Sequence, residues 1–127
     1  MLREFSMVIE KKADGLFVAS VPALRGCHTQ ARSLDALMKR VREAIELAGR
    51  VDFIVVVGGK NSSNTRTLFE MVRAKVPALH VEGSGDLDLS RLRGRARIGI
   101  VSGASTPEEE VREVQSLIER GLVEGGR

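Results

Sequence analysis

Residues 53 to 57 read FIVVV, an uninterrupted apolar run, and the chain then turns through two glycines into the polar stretch KNSSN. A strand with one wet face alternates polar and apolar residues. Five apolar residues in succession, β-branched after Phe53, need cover on both faces, which is the condition of a strand inside a parallel sheet. That requirement fixes much of what the remaining sequence must supply: partner strands on either side and helices above and below.

The partners are legible. Ile98 to Val101 and Ala78 to Val81 are short apolar runs of the same kind. Helical spacing fills the intervals between the strands. Leu34, Leu37, Met38, Val41, Ile45 and Ala48 recur at that spacing, with Ser33 suited to cap the start and Gly49 to stop the end. Leu68, Met71, Val72 and Val76 form a second stripe. Val111, Val114, Leu117 and Ile118 form a third, preceded by Thr106-Pro107-Glu108-Glu109, which reads as a capping box with proline at the first helical position, and closed by Gly121. A short helix is expected around Leu87, Leu89 and Leu92.

The amino-terminal end has a different period. Phe5, Met7 and Ile9 alternate with polar neighbours, Val8 excepted, and Asp14-Gly15 turns the chain into a returning strand at Leu16 to Val21. Cys27 to Ala31 is expected as a short third strand. The sequence therefore predicts an α/β fold, a three-layer sandwich on a mixed six-stranded sheet in the order β-β-β-α-β-α-β-β-α, antiparallel in its first part and parallel in its second. Residues 1–127 are expected to form one domain. Numbering strands by appearance, the expected order across the sheet is 3-2-1-6-4-5, with direct pairing of the first and fourth strands, as in ribonuclease H-like folds, as the rival.

Composition narrows the function classes. No apolar run approaches the roughly 20 residues that span a bilayer, and MLREFSMVIEKK lacks the apolar centre of a secretory signal, so a cytoplasmic setting is expected. The net charge of +3 is spread over the chain, and the aromatics are four phenylalanines, too few for a base-stacking surface. RLRGRAR, residues 91 to 97, puts four arginines in seven positions, a pattern that is more often a solvated connection than a phosphate-backbone patch. Nucleic acid is not an expected partner. Cys27 and His28 are adjacent, so on a strand they point to opposite faces and make a poor nucleophile and base. His80 reads as a surface histidine. Glu10 and Asp14 lie at one end of the first hairpin and Asp52 at the start of the FIVVV run, an arrangement unsuited to a two-metal centre.

Two resemblances add to this reading. FSMVIEKKADGLFVASVP, the turn ALRGCHTQARS and the helix DALMKRVREAIEL, about residues 5 to 48, resemble the HicB-type antitoxin domain, whose members neutralise a small RNA-cleaving toxin. From about residue 51 to 120, VVVGGKNSSNTRTLFE, HVEG and IGIVSGASTPEEEV resemble the C-terminal part of the hydroxymethylbutenyl diphosphate reductase family, LytB or IspH. That second resemblance implies diphosphate binding by Ser62, Ser63, Asn64 and Ser105. It also implies an iron–sulfur cluster on three cysteines, with histidines and a glutamate from other domains, whereas this chain has one cysteine, placed in the first half.

Taken together these features lead to the expectation of an engineered chimera of segments 1–49 and 50–127: a folding module without enzymatic activity, cofactor or metal. It is expected to keep at most a weak anion site and to be capable of self-pairing through an exposed strand edge. The alternatives are an antitoxin variant that binds a toxin, and an inactive diphosphate-binding fragment of the reductase. The physical case for the anion site stands apart from any family. A loop leaving the carboxyl end of a parallel strand and entering a helix presents backbone N–H groups and the positive end of the helix dipole. The plainer alternative is that Ser63 or Asn64, and Thr106, only cap their helices.

Overall fold

The computed structural model describes residues 6–11, 17–20, 33–103 and 106–125. Its elements are β1 (Ser6–Lys11), β2 (Phe17–Ser20), α1 (Ser33–Ala48), β3 (Phe53–Val57), α2 (Ser63–Arg73), β4 (Ala78–Val81), β5 (Arg97–Ser102) and α3 (Glu108–Gly125). Between β4 and β5 the expected short helix is realised as two 3-10 turns, Ser84–Asp86 and Leu89–Arg91.

One mixed sheet of five strands runs β2-β1-β5-β3-β4. β3 is parallel to both neighbours, with Val55 level with Leu79 and Ile100. β1 is antiparallel to β2 and β5, with Val8 opposite Ser20 and Gly99. This is the expected order with its terminal strand left off. The sixth strand, expected at residues 27–31, lies outside the described residues, so the sheet shown has five strands and not six. β5 separates β1 from β3, which excludes the ribonuclease H-like pairing.

The FIVVV run is covered on both faces, as its composition requires. All five residues are at most 1% exposed. Phe53, Val55 and Val57 pack with Ile98, Ile100, Val111, Val114 and Ile118 under α3. Ile54 and Val56 pack with Val41, Ala44, Leu47, Leu68 and Val72 under α1 and α2. Burying each such side chain stabilises the fold by about 1.5–3 kcal/mol, so β3 is the energetic centre of the molecule. β1 contributes to both faces, Met7 and Ile9 to one and Val8 to the other. β1 and the FIVVV strand therefore share the cores on both faces of the sheet.

Two glycines are set by packing and not by turns. At Gly99 a Cβ would stand 3.0 Å from Leu47 Cδ2, so the bare position lets Leu47 of α1 pack closely on β5. Gly121 does not stop α3, which continues to Gly125; a side chain there would collide with Leu89, whose 3-10 turn lies against the helix. Among the described residues no helix is long and apolar enough to cross a membrane.

Candidate functional site

The carboxyl ends of β3, β4 and β5 lie at one edge of the sheet, and the chain leaves β3 and β5 through glycine-containing loops. These loops meet. Gly103 N–H donates to the Val57 carbonyl at 3.2 Å, and the buried Thr106 hydroxyl donates to the same carbonyl at 3.1 Å. Thr65, in the first turn of α2 and 2% exposed, lies between the two glycines. A Cβ on Gly58 would stand 2.8 Å from Thr65 Cγ2, and one on Gly103 would stand 2.6 Å from Thr65 Oγ1. Only glycine at both positions lets the loops approach so closely.

Ser62 is the N-cap of α2. Its backbone is extended (φ −81, ψ 116), and its hydroxyl oxygen accepts from Thr65 N–H at 3.2 Å and lies 3.1 Å from Thr65 Oγ1. The capping role expected of Ser63 or Asn64 thus falls one residue earlier. Ser63 and Asn64 occupy the first helical positions, exposed to solvent, and make no side-chain hydrogen bond among the described residues. Ser105 lies outside the described residues. The Thr106 hydroxyl, which the capping-box pattern assigned to the start of α3, donates to the Val57 carbonyl across 49 residues of sequence.

Two further contacts were not foreseen. His80 is not a surface histidine but half-buried; its Nε2–H donates to the Gly58 carbonyl at 3.0 Å, and its ring lies 5.5 Å from that of Phe69. Glu82 Oε2 accepts from Lys60 N–H at 2.8 Å. Both depend on β4 lying parallel beside β3, and no local pattern announces them.

The helices that begin at this edge differ in charge. α2 has no acidic residue in its first turn, whereas α3 has Glu108, Glu109 and Glu110. Glu108 pairs with Arg112 at 3.0 Å, and Glu110 lies where a side chain on Gly83 would be. The positive end of the α3 dipole is therefore met by the helix's own carboxylates, and that of α2 is not.

The arginine-rich segment lies at the opposite edge, where β5 begins. Asp52 accepts from Ala96 N–H at 3.0 Å and Arg97 N–H at 3.2 Å, Arg91 and Arg95 lie over the Phe53 ring, and Arg97 pairs with Glu10 at 3.9 Å. It takes no part in the glycine loops. Cys27 and His28 fall outside the described residues, and among the described residues no group of three His, Cys, Asp or Glu side chains could hold a metal ion.

Comparison with known proteins bears on the origin of the chain. The family model described as LytB protein matches residues 25–119. The 4-hydroxy-3-methylbut-2-enyl diphosphate reductase of Solidesulfovibrio magneticus is 44% identical over 86 residues, covering 67% of this chain and 30% of that protein. The enzyme of the same name from Dehalococcoides mccartyi is 41% identical over 95 residues, covering 72% and 34%. Among solved structures, an (E)-4-hydroxy-3-methyl-but-2-enyl diphosphate reductase superposes with a TM-score of 0.63 at 35% identity, covering 66% of this chain and 30% of that one. The Plasmodium falciparum reductase gives a TM-score of 0.58 at 32% identity, covering 61% and 25%. The chain thus spans about a third or less of the length of these relatives.

These matches correct the expectation of an engineered chimera. One family model runs unbroken from residue 25 across residue 49, so α1, assigned above to an antitoxin-like segment, belongs to the same match as the GGKNSSN loop, and Cys27 lies inside that match as well. The match gives the antitoxin reading no support over α1, and residues 5–24 lie outside it. The expectation of a chain unrelated to catalysis is overturned too, because the relatives at 41% and 44% identity are named as a reductase. With residues 25–119 of 127 under a single family model, the chain belongs to the LytB protein family.

Proposed function

We propose that this chain forms the diphosphate-binding part of a 4-hydroxy-3-methylbut-2-enyl diphosphate reductase. The observation that carries the proposal is the meeting of two glycine loops at the carboxyl edge of the sheet, beside a helix start that holds no carboxylate of its own. Ligands of open α/β sheets bind at such an edge, where backbone N–H groups converge. Ser63 and Asn64 supply exposed donors there and Ser62 orders the helix start; Ser105, outside the described residues, is assigned to the site by the resemblance alone. The named substrate of the relatives carries a diphosphate, the anion that suits such donors.

The cluster implied by the resemblance needs three thiolates, and this chain has one cysteine. That donor set does not fit such a cluster by itself, so the proposal is confined to binding and no reduction step is assigned to these residues. The Ser63 and Asn64 side chains are solvent-exposed, which suits a modest affinity, with a Kd of about 1 mM, or about −4 kcal/mol.

Titration with pyrophosphate and with phosphate, followed through amide chemical shifts, tests this. The expected result is saturable movement at residues 59–65, at lower concentration for pyrophosphate than for phosphate. Absence of movement in that segment up to tens of times the expected Kd, on the order of 50 mM, would overturn the proposal.

A further inference from the structure

We infer that His80 and Glu82 are positioning residues that set the Gly58–Lys60 loop in its anion-receiving shape before any ligand arrives; this rests on the diphosphate reading and extends it to residues outside the serine and asparagine motif. Both come from the end of β4, and each holds a different part of the loop. A carbonyl can only accept, so the His80 ring must carry its proton on Nε2, directed at the Gly58 oxygen 3.0 Å away. In a planar trans peptide the C=O of one residue and the N–H of the next point in opposite directions. With the Gly58 carbonyl drawn outward to β4, the Gly59 N–H is turned the other way, toward the side on which Gly103 and Thr65 lie. No described residue accepts from that N–H, and apart from its chain neighbours nothing lies within 4 Å of where a Gly59 Cβ would be.

Glu82 holds the next peptide. Its carboxylate accepts from Lys60 N–H at 2.8 Å, and its own backbone N–H is anchored by Asp86 Oδ2 at 3.0 Å. The Gly59 carbonyl accepts from Ser62 N–H at 3.1 Å, which joins the held loop to the helix cap. A carboxylate beside an anion site repels the ligand, so on charge alone Glu82 is misplaced. Its hydrogen bond to the loop accounts for its position. Orientation gained before binding is ordering that the ligand need not supply.

The two roles of Glu82, holding the loop and repelling the anion, separate in a pair of variants. Glu82→Gln keeps an acceptor for Lys60 N–H and removes the charge; Glu82→Ala removes both. Two readouts apply to each: amide exchange at Lys60 without ligand, and the midpoint of a pyrophosphate titration. Holding predicts that Lys60 exchange rises about tenfold in Glu82→Ala and stays near the parent rate in Glu82→Gln. It also predicts pyrophosphate binding about fivefold weaker in Glu82→Ala, and at least as tight as the parent in Glu82→Gln. If Glu82→Ala binds as tightly as Glu82→Gln, or Lys60 exchange is the same in both, the inference is overturned for Glu82. His80→Phe should weaken pyrophosphate about fivefold at an unchanged melting temperature, and His80→Gln, which can donate again, should restore it. Equal weakening in Phe and Gln variants would remove His80 from the role. Should the parent protein not bind pyrophosphate at all, the diphosphate reading fails, while Lys60 exchange still decides whether the loop is held.

Discussion

α2 and α3 start at the same edge of the same sheet, each just after a glycine loop, and they treat the positive end of the helix dipole in opposite ways. α3 opens with three glutamates, which meet the dipole from within the chain. α2 opens with serine and asparagine, capped by the neutral hydroxyl of Ser62. The sequence could have stabilised both alike at a gain of about 0.3–1 kcal/mol per carboxylate. It did so at only one, which agrees with the anion site proposed at the α2 start, and the contrast between the two is itself testable.

The largest expected effect is on the junction that brings both starts together. Gly103→Val places a side chain where Thr65 Oγ1 stands 2.6 Å from even a Cβ, and should destabilise the protein by about 1–3 kcal/mol in urea unfolding. Gly59→Ala, with open space around it, should cost far less, and equal losses at the two glycines would show that the loops do not meet as described. Next is Thr106→Val, which removes one of the two donors to the Val57 carbonyl; Gly103 N–H still serves it, so the loss should be about 0.5–1.5 kcal/mol in the same measurement. Ser62→Ala removes the α2 cap at about 1 kcal/mol, and a loss near zero would mean that another residue caps the helix. The smallest change in stability carries the sharpest contrast. Asn64→Asp gives α2 the acidic first turn that α3 has; it should stabilise the free protein by about 0.3–1 kcal/mol and weaken pyrophosphate severalfold. Glu109→Gln in α3 should shift stability by a similar amount in the other direction and leave pyrophosphate binding close to the parent value.

Much of the framework was legible because it depends on local period. FIVVV reads as an interior strand, α1 ends at Ala48 just before Gly49 as expected, and the strand order follows once β1 is placed beside β5. The failures share a different cause, distance along the chain. The N-cap of α2 fell on Ser62 because the choice among neighbouring polar residues is made by where the loop leaves its extended conformation, which Gly58, Thr65 and Gly103 decide together. His80 and Glu82 each touch the loop across 22 residues, through a parallel strand pairing that no short window contains. Gly121, read as a helix stop, is a packing glycine because Leu89 comes against it from a separate turn. The supposed join near Gly49 had a related origin: a hairpin followed by an amphipathic helix is a pattern shared by many families, and only a comparison spanning residues 25–119 showed that α1 and the GGKNSSN loop go together.

Whether the two loops act as one receptor is decided most directly by following both in a single pyrophosphate titration. Amide shifts of Gly59 and Ser63 on one loop, and of Gly103 and Thr106 on the other, should trace one curve with a common midpoint. Movement of one loop alone, or midpoints that differ between them, would contradict the account.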